Sequence, residues 1–352
     1  MTLGINYYFG ERELDDGFLT RNDVSPSGGS ARSFARRLMR LFDVEVHGVD
    51  RVDARADDIK AVLYMDSSWR SLRADRFLRQ VPFEKRALML IEPANVNPSM
   101  YYLSRYRKLF AKVFTWDERL AAKNPDYVLT HVYPGLDAER YQGERFKAIP
   151  FSEKKLLFAA SCNRWHYMPQ STYKERRRIY RHFERHQPEQ FDFFGPGWNA
   201  PAGPFEKCLG YPKFSCWRGF LPGGFEGKTE KMAHYKFAVS LENNASQPGY
   251  ISEKITDCFA ARCVPIYLGS RGYERHIPSC TYINYADFKS LAELERYLVS
   301  MSEVEHMRYL DAIERFVKSS DFQYFSADRF AELIGDGLGL KRRSGVLRKE
   351  ER

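Results

Sequence analysis

The sequence predicts an α/β protein made of two halves, each built on a mostly parallel sheet. Short apolar runs alternate with amphipathic segments along the chain, as strands do with helices. The polar segment 142–155 interrupts this alternation, and we interpret it as a linker. A second alternation follows it. A chain of 352 residues, 43% of them hydrophobic, is long enough for two domains of ordinary size.

The first half carries five apolar runs that predict buried strands, at 5–9, 61–65, 87–91, 113–116 and 127–132. Three segments between them have apolar residues at helical spacing, at 31–42, 70–78 and 98–110. Residues 27–30, Ser-Gly-Gly-Ser, lack the Lys-Ser/Thr of a phosphate-binding loop. They therefore predict a turn and a helix cap.

The second half repeats this pattern. Its predicted strands are 155–160, 190–194, 235–241 and 264–268, and its predicted helices are 173–186, 253–261 and 291–300. We place the N-terminal domain at 1–150 and the C-terminal domain at 151–320. A segment at 321–340 is predicted to form a helix that packs back across the N-terminal domain, and 341–352 to form a basic tail.

The charge balance favours anionic partners. Lys and Arg number 55 against 46 Asp and Glu, a net charge of +9. The tail 341–352 concentrates part of this excess and suits weak peripheral contact with an anionic inner-membrane surface. No stacking motif or basic recognition helix of a known type is present, so nucleic acid is not an expected partner.

Several classes of protein are not expected. The chain has no apolar run long enough to span a bilayer and no signal-peptide pattern, so a cytoplasmic protein with free thiols is predicted. Neither His182 with His186 nor His131 shows a zinc-binding spacing. Because no Asp-x-Asp occurs, side chains rather than a metal are expected to neutralise any diphosphate.

The segment 235–269 carries the most chemical information. It predicts a strand, a polar loop, a helix and a second strand, with Ser252 as the helix N-cap and Glu253 and Lys254 in the first turn. Ligands of open α/β sheets bind at the carboxyl ends of strands, and helix N-termini attract anions. A lysine there suits a phosphate, and a glutamate suits two ribose hydroxyls. Alternatively, Glu253 only follows the preference of acids for a first turn, and Lys254 is a solvated surface residue.

Residues 235–288 resemble the donor-site signature of the α1,3-fucosyltransferases of glycosyltransferase family 10. The run Tyr-Lys-Phe-x₄-Glu-Asn is followed by Tyr-Ile-Ser-Glu-Lys-Ile and then by Val-Pro-Ile-Tyr-Leu-Gly-Ser. The similarity continues through Gly-Tyr-Glu-Arg-His-Ile-Pro and Tyr-Ile-Asn-Tyr-Ala-Asp-Phe. About fifty residues match in order, far more than a short motif provides. The resemblance implies a GT-B fold, with two Rossmann-like domains facing a central cleft, and a soluble bacterial type of the family.

The resemblance also implies roles for single residues. Tyr250 and Lys254 would contact the diphosphate, Glu253 would bind the ribose, and Glu242 with Asn243 would shape the donor pocket. The chain departs from the family pattern by one extra residue between positions 242 and 250 and by a serine in place of threonine at position 252. The extra residue lies near the sugar, so it bears on which sugar is transferred.

The basic helix 173–186 is similar to a family helix whose arginine contacts the phosphates. Alignment on Tyr180 makes Arg176 the counterpart, and a planar guanidinium suits a diphosphate. Arg177 and Arg178 are alternatives. The same arginines are also consistent with a solvated helix face.

Glu92 is the candidate catalytic base. It follows the predicted strand 87–91 and precedes Pro93, so it lies at the carboxyl edge of a buried strand, facing the expected cleft. An inverting transfer needs a base for the acceptor hydroxyl, and a partly buried carboxylate suits that task. The family assigns this role to a Glu in a similar strand-Glu-x-Pro setting. Asp66 and Asp117, also at strand ends, are the alternatives.

The resemblance implies an inverting transfer of L-fucose from GDP-β-L-fucose, with no required cofactor and a divalent cation at most stimulatory. The implied acceptor is an N-acetylglucosamine-type sugar of an oligosaccharide or glycolipid, in lipopolysaccharide, O-antigen or another surface glycan. Two alternatives stay open: transfer of another GDP-deoxysugar, and a non-catalytic protein that binds anions or nucleotides.

Overall fold

The computed structural model describes residues 1–7, 26–97, 105, 108–131, 149–166, 168, 170–209 and 213–345. The chain forms two compact units, one of Met1–Leu136 with Tyr324–Arg352 and one of Asp137–Gln323. Each unit is an α/β domain on one parallel sheet, as the alternating pattern predicts.

The strands of the described residues are short and buried. In chain order they are β1 Thr2–Tyr7, β2 Glu45–Gly48, β3 Ile59–Met65, β4 Arg86–Met89, β5 Lys112–Thr115, β6 Tyr127–Leu129, β7 Lys155–Ala160, β8 Phe191–Phe194, β9 Tyr235–Leu241, β10 Val264–Leu268 and β11 Ile283–Asn284.

The helices of the described residues alternate with these strands. They are α1 Pro26–Leu41, α2 Trp69–Ala74, α3 Arg76–Gln80, α4 Glu118–Lys123, α5 Tyr173–His186, α6 Pro204–Leu209, α7 Gly224–Met232, α8 Glu253–Ala260, α9 Leu291–Ser300, α10 Glu303–Val317 and α11 Ala327–Gly337. None of the described helices is long and apolar enough to cross a membrane.

Both sheets are parallel and doubly wound. The first has the order β2-β1-β3-β4-β5-β6, and the second has the order β11-β10-β9-β7-β8. In such sheets the winding direction reverses between two adjacent strands, and ligands bind outside the carboxyl ends at that switch point. The switch point of the first unit lies between β1 and β3. That of the second lies between β7 and β9.

The C-terminal helix α11 belongs to the core of the first unit. Phe330 packs edge-on against Phe34 of α1, with ring centroids 5.5 Å apart, and both rings are buried. Asp328 forms ion pairs with Arg37 and Arg40. The first residues of the predicted tail also pair with this unit, since the amide of Asp43 donates to the carbonyl of residue 341 at 2.8 Å. Residues 346–352 of the tail lie outside the described residues.

Two local predictions were wrong. Residues 27–30 are helical rather than a turn, because α1 begins at Pro26, and proline is favoured in a first helical turn. The predicted helix 70–78 is two helices. Asp75 ends α2 and starts α3, where its carboxylate accepts the amide of Leu78 at 3.0 Å. The predicted helix 98–110 and the linker residues 142–148 fall largely or wholly outside the described residues.

Candidate active site

The carboxyl ends of β7 and β8 lie close together beside the switch point of the second unit. Gly195, just after β8, has φ +126°, and a Cβ there would lie 2.1 Å from the carbonyl oxygen of Ser161. Only glycine tolerates both this conformation and this approach. Ser161 follows β7, and its hydroxyl is 2.9 Å from that of Tyr180 in α5. The edge of the sheet is thereby fixed to the helix that carries the candidate arginines.

Glu242 joins three elements at the end of β9. Its side chain is fully buried, and it accepts the amide and the hydroxyl of Ser252 at 2.8 and 2.6 Å. It also accepts the hydroxyl of Tyr267 in β10 at 3.2 Å. Glu242 thus holds the end of β9 against the first turn of α8. This geometry suits a residue that positions the site rather than one that touches a ligand.

Lys254 and Glu253 occupy the first turn of α8, as predicted. Ser252 caps this helix, and its hydroxyl accepts the Lys254 ammonium at 2.9 Å. The ammonium is also 3.6 Å from carboxylate oxygens of Glu242 and Glu253, and the lysine side chain is 20% exposed. Desolvation raises the pKa of Glu253, but the nearby charges of Lys254 and Lys228 outweigh it and lower that pKa to about 2. Glu253 is therefore an ionised, half-buried acceptor at physiological pH.

Arg176 lies at the same edge of the sheet. It is buried, and its Nη2 donates to the carbonyl oxygen of Leu241 and, at 3.0 Å, to the side-chain oxygen of Asn243. The structure thus brings α5, the end of β9 and the Glu-Asn pair together. Tyr250 is 2% exposed, and its carbonyl accepts the hydroxyl of Ser270 at 3.0 Å.

The other arginines of α5 point to different partners. Arg177 pairs with Glu206 and donates to Asn163, whereas Arg178 pairs with Glu175 at 2.8 Å. Carboxylates thus neutralise Arg177 and Arg178, whereas the oxygens that Arg176 contacts belong to a carbonyl and a side-chain amide. Arg176 is therefore the better candidate of the three for a phosphate ligand.

Sequence reasoning missed a lysine next to this cluster. Lys228 of α7 pairs with Asp257 of α8 at 2.7 Å. Burial favours the neutral amine, but the carboxylates of Asp257 and Glu253 together outweigh burial and raise the pKa of Lys228. A cavity of about 20 Å³ between β7 and β9 is lined by Arg176, Lys228 and Lys254 among others. Lys228 carries no motif of its own, so only the packing of α7 against α8 reveals it.

In the first unit, the backbone around Glu92 is held by Asp66. The Asp66 carboxylate accepts the amides of Ile91 and Glu92 and the side-chain amide of Asn97, each at 3.2 Å. Asp66 itself has φ +50°, an unusual conformation for a residue with a side chain. Desolvation raises its pKa, although these hydrogen bonds oppose that shift. Asp66 therefore positions the loop that presents Glu92.

Asp117, the other alternative base, has a structural task. It is 3% exposed and caps α4, accepting the amides of Arg119 and Leu120 at 3.0 and 3.3 Å. Glu92 is partly buried and follows β4 at the carboxyl edge of the sheet. Of the three carboxylates, Glu92 best suits proton transfer to an external ligand.

The role of Glu242 as an anchor predicts a loss of stability on its removal. Glu242→Ala removes the buried carboxylate that Ser252, Tyr267 and Lys254 contact. We expect this to lower the free energy of unfolding by about 3 kcal/mol. We expect a lower urea midpoint for this variant, a smaller loss for Glu242→Gln, and a change within about 0.5 kcal/mol for the exposed control Glu189→Ala. An alanine variant as stable as the unaltered protein would contradict this role.

Known sequences match part of the chain. A family model described as glycosyltransferase family 10 (fucosyltransferase), C-terminal, matches residues 153–324. A human 4-galactosyl-N-acetylglucosaminide 3-alpha-L-fucosyltransferase is 40% identical over 84 residues, which are 23% of this chain and 23% of the relative. A human 3-galactosyl-N-acetylglucosaminide 4-alpha-L-fucosyltransferase matches to the same extent. The matched segment thus spans under a quarter of these relatives.

Solved structures match nearly the whole chain. A crystal structure of an alpha1,3-fucosyltransferase with GDP-fucose has a TM-score of 0.52 and 13% identity, covering 98% of this chain and 91% of that one. A DNA-modifying beta-glucosyltransferase has a TM-score of 0.58 and 14% identity, covering 97% of this chain and all of that one. The predicted GT-B fold of two Rossmann-like domains is confirmed. Within this fold, residues 153–324 are similar to the C-terminal domain of the fucosyltransferases of glycosyltransferase family 10.

Proposed function

We propose that the protein is an inverting glycosyltransferase that moves L-fucose from GDP-β-L-fucose to a hydroxyl of a sugar acceptor. The observation that carries this proposal is the grouping of Arg176, Glu253 and Lys254 at the switch point of the second sheet. Cations and an ionised carboxylate at one helix N-terminus match the diphosphate and ribose of a nucleotide sugar. The fucosyltransferase family whose model matches residues 153–324 supports fucose as the sugar.

The donor would be held by side chains of the second unit. Lys254 adds a full charge to the N-terminus of α8, and Arg176 offers a planar guanidinium to the diphosphate. Glu253 would accept hydrogen bonds from the two ribose hydroxyls. In this proposal Tyr250 contacts the diphosphate, whereas Glu242 and Asn243 keep β9, α5 and α8 in place around it.

The transfer is a single displacement. Glu92 takes the proton of the acceptor hydroxyl as that oxygen attacks the anomeric carbon of fucose. The bond from this carbon to the β-phosphate oxygen breaks, the configuration inverts from β to α, and GDP leaves with the bonding electron pair. Arg176 and Lys254 stabilise the negative charge that develops on GDP. Side-chain cations perform this neutralisation, so a divalent cation at most stimulates the reaction.

The acceptor is proposed to be an N-acetylglucosamine-type sugar of an oligosaccharide or glycolipid, in lipopolysaccharide, O-antigen or another surface glycan. The human relatives support this choice of acceptor, since galactosyl-N-acetylglucosaminide appears in their names. The N-terminal domain would bind this acceptor. A cytoplasmic protein whose basic tail contacts an anionic membrane surface fits a glycolipid substrate.

A transfer assay tests this function. Purified protein is incubated with GDP-fucose and a panel of oligosaccharide acceptors, and GDP release and the mass of the glycan are followed. We expect a mass gain of one deoxyhexose, with higher kcat/KM for GDP-fucose than for any other GDP-sugar.

Two outcomes of this assay would contradict the proposal. Faster turnover of another GDP-deoxysugar would favour the second candidate donor, which the extra residue between Glu242 and Tyr250 keeps open. Absence of transfer, together with salt-sensitive binding to nucleic acid, would instead favour a non-catalytic anion-binding protein.

A further inference from the structure

Two histidines lie one turn apart on α5, away from the candidate active site. His182 and His186 are at positions i and i+4, which places both imidazoles on one face of the helix. Their rings are stacked, with centroids 4.5 Å apart and planes inclined by 14°. Both nitrogen-bearing edges approach the same side chain of a neighbouring helix.

That side chain is Glu295 of α9. Its Oε2 lies 2.7 Å from Nε2 of His182 and 3.9 Å from Nδ1 of His186. Its other oxygen, Oε1, accepts the side-chain amide of Gln187 at 2.7 Å. Gln187 therefore fixes the orientation of the carboxylate and directs Oε2 at both imidazoles. Outer partners of this kind are typical of metal-binding carboxylates.

We propose that His182, His186 and Glu295 form a binding site for a divalent transition-metal ion, best matched by Zn²⁺. Two imidazole nitrogens and one carboxylate oxygen are ligands that zinc prefers. The three ligand atoms already lie within 4.8 Å of one another. Tetrahedral bonds of about 2.0–2.1 Å place ligand atoms about 3.4 Å apart. Side-chain rotations that bring the ligand atoms closer and turn the stacked rings towards one point would complete the site.

Hydrogen bonding explains only one of the two contacts between Glu295 and the imidazoles. The contact of Glu295 with His182 has hydrogen-bond length, but 3.9 Å is too long for one with His186. A metal ion between the three groups would bind all of them.

The surroundings leave a fourth coordination position. A cavity of about 430 Å³ is lined by both histidines and by five basic side chains, Lys174, Arg177, Arg178, Arg181 and Arg185. Arg177 forms an ion pair with Glu206. Arg178 and Arg181 form ion pairs with Glu175 and Glu184, which weakens their repulsion of a cation. The position is therefore suited to water or a small anion. The ion would clamp α5, the helix that also carries Arg176, against α9.

The sequence did not predict this site because its ligands are far apart along the chain. His182 and Glu295 are 113 residues apart, so no local zinc motif exists. The site is independent of the proposed transfer reaction and requires no role for metal in catalysis.

The test is a calorimetric titration of the full, untagged, chelator-treated protein with Zn²⁺. We expect one site that is lost or at least about tenfold weaker in His182→Ala and in Glu295→Gln. His234→Ala, which removes an exposed histidine of the same unit, serves as the matched control and should bind as the unaltered protein does. Zn²⁺ should also raise the Tm of the unaltered protein more than that of Glu295→Gln.

Any zinc taken up by the exposed cysteines Cys162, Cys208 and Cys280 would be the same in every variant, because all variants retain them. Circular dichroism of the metal-free variants reports whether they fold. Glu295→Gln retains the shape of the side chain and should fold even if His182→Ala does not. Equal zinc affinity in the unaltered protein and in folded Glu295→Gln would overturn the proposal.

Discussion

Lys254→Ala is expected to lower kcat for fucosyl transfer by about 10²–10³-fold, since it removes a fixed charge from the place where negative charge develops on GDP. Interactions that strengthen in the transition state act on turnover more than on binding. KM for GDP-fucose should therefore change much less than kcat. Steady-state kinetics at saturating acceptor measures both constants.

The control for this prediction is Lys289→Ala. Lys289 is exposed and lies in the same unit, so its removal changes net charge equally without touching the site. Its kcat should stay within about twofold of the original, since exposed substitutions away from a site have small effects. Equal kinetics in the Lys254 and Lys289 variants would remove Lys254 from the mechanism.

Glu92→Ala is expected to lower kcat by about 10²–10⁴-fold, the usual contribution of a general base. The Glu92 side chain lies in the first unit, so the affinity of the protein for GDP should not change. Glu92→Gln keeps the shape but cannot accept the proton, and it should be as inactive as the alanine variant. Rates from the GDP-release assay report a loss of turnover, and GDP affinities from calorimetry report any loss of donor binding.

Glu84→Ala is the matched control, because Glu84 is an exposed acid of the same unit just before β4. It should keep full activity. Asp66→Asn tests the remaining alternative, since asparagine retains one oxygen to accept the amides of Ile91 and Glu92. A fully active Glu92→Ala variant beside an inactive, folded Asp66→Asn variant would move the role of base to Asp66.

Periodicity predicted the second unit closely. The strands Lys155–Ala160, Tyr235–Leu241 and Val264–Leu268 and the helix Tyr173–His186 have the predicted bounds. Each is a continuous apolar run or a strongly amphipathic segment, for which burial and local preference agree. The helices α6, α7 and α10 and the short strand β11 were not predicted. α7 begins Gly-Phe-Glu-Gly, and glycines obscure a helical pattern.

In the candidate site, the sequence indicated which residues are present more reliably than the structural role of each one. The N-cap Ser252 and the first-turn positions of Glu253 and Lys254 follow from local rules and are confirmed as local structure. The burial of Glu242 and its bond to Tyr267 depend on neighbouring strands, so the sequence could not show them. The same holds for Lys228 with Asp257, whose pairing arises from the packing of two helices.

Calorimetric titration with GDP and GMP tests the central claim most directly, namely that the switch point of the second sheet binds a nucleoside diphosphate. We expect one GDP site per chain, with GMP at least about tenfold weaker because it lacks the β-phosphate that Lys254 and Arg176 would bind. Lys254→Ala should abolish most of this difference between the two nucleotides. No heat with GDP, or equal affinities for GDP and GMP in the unaltered protein, would contradict the account.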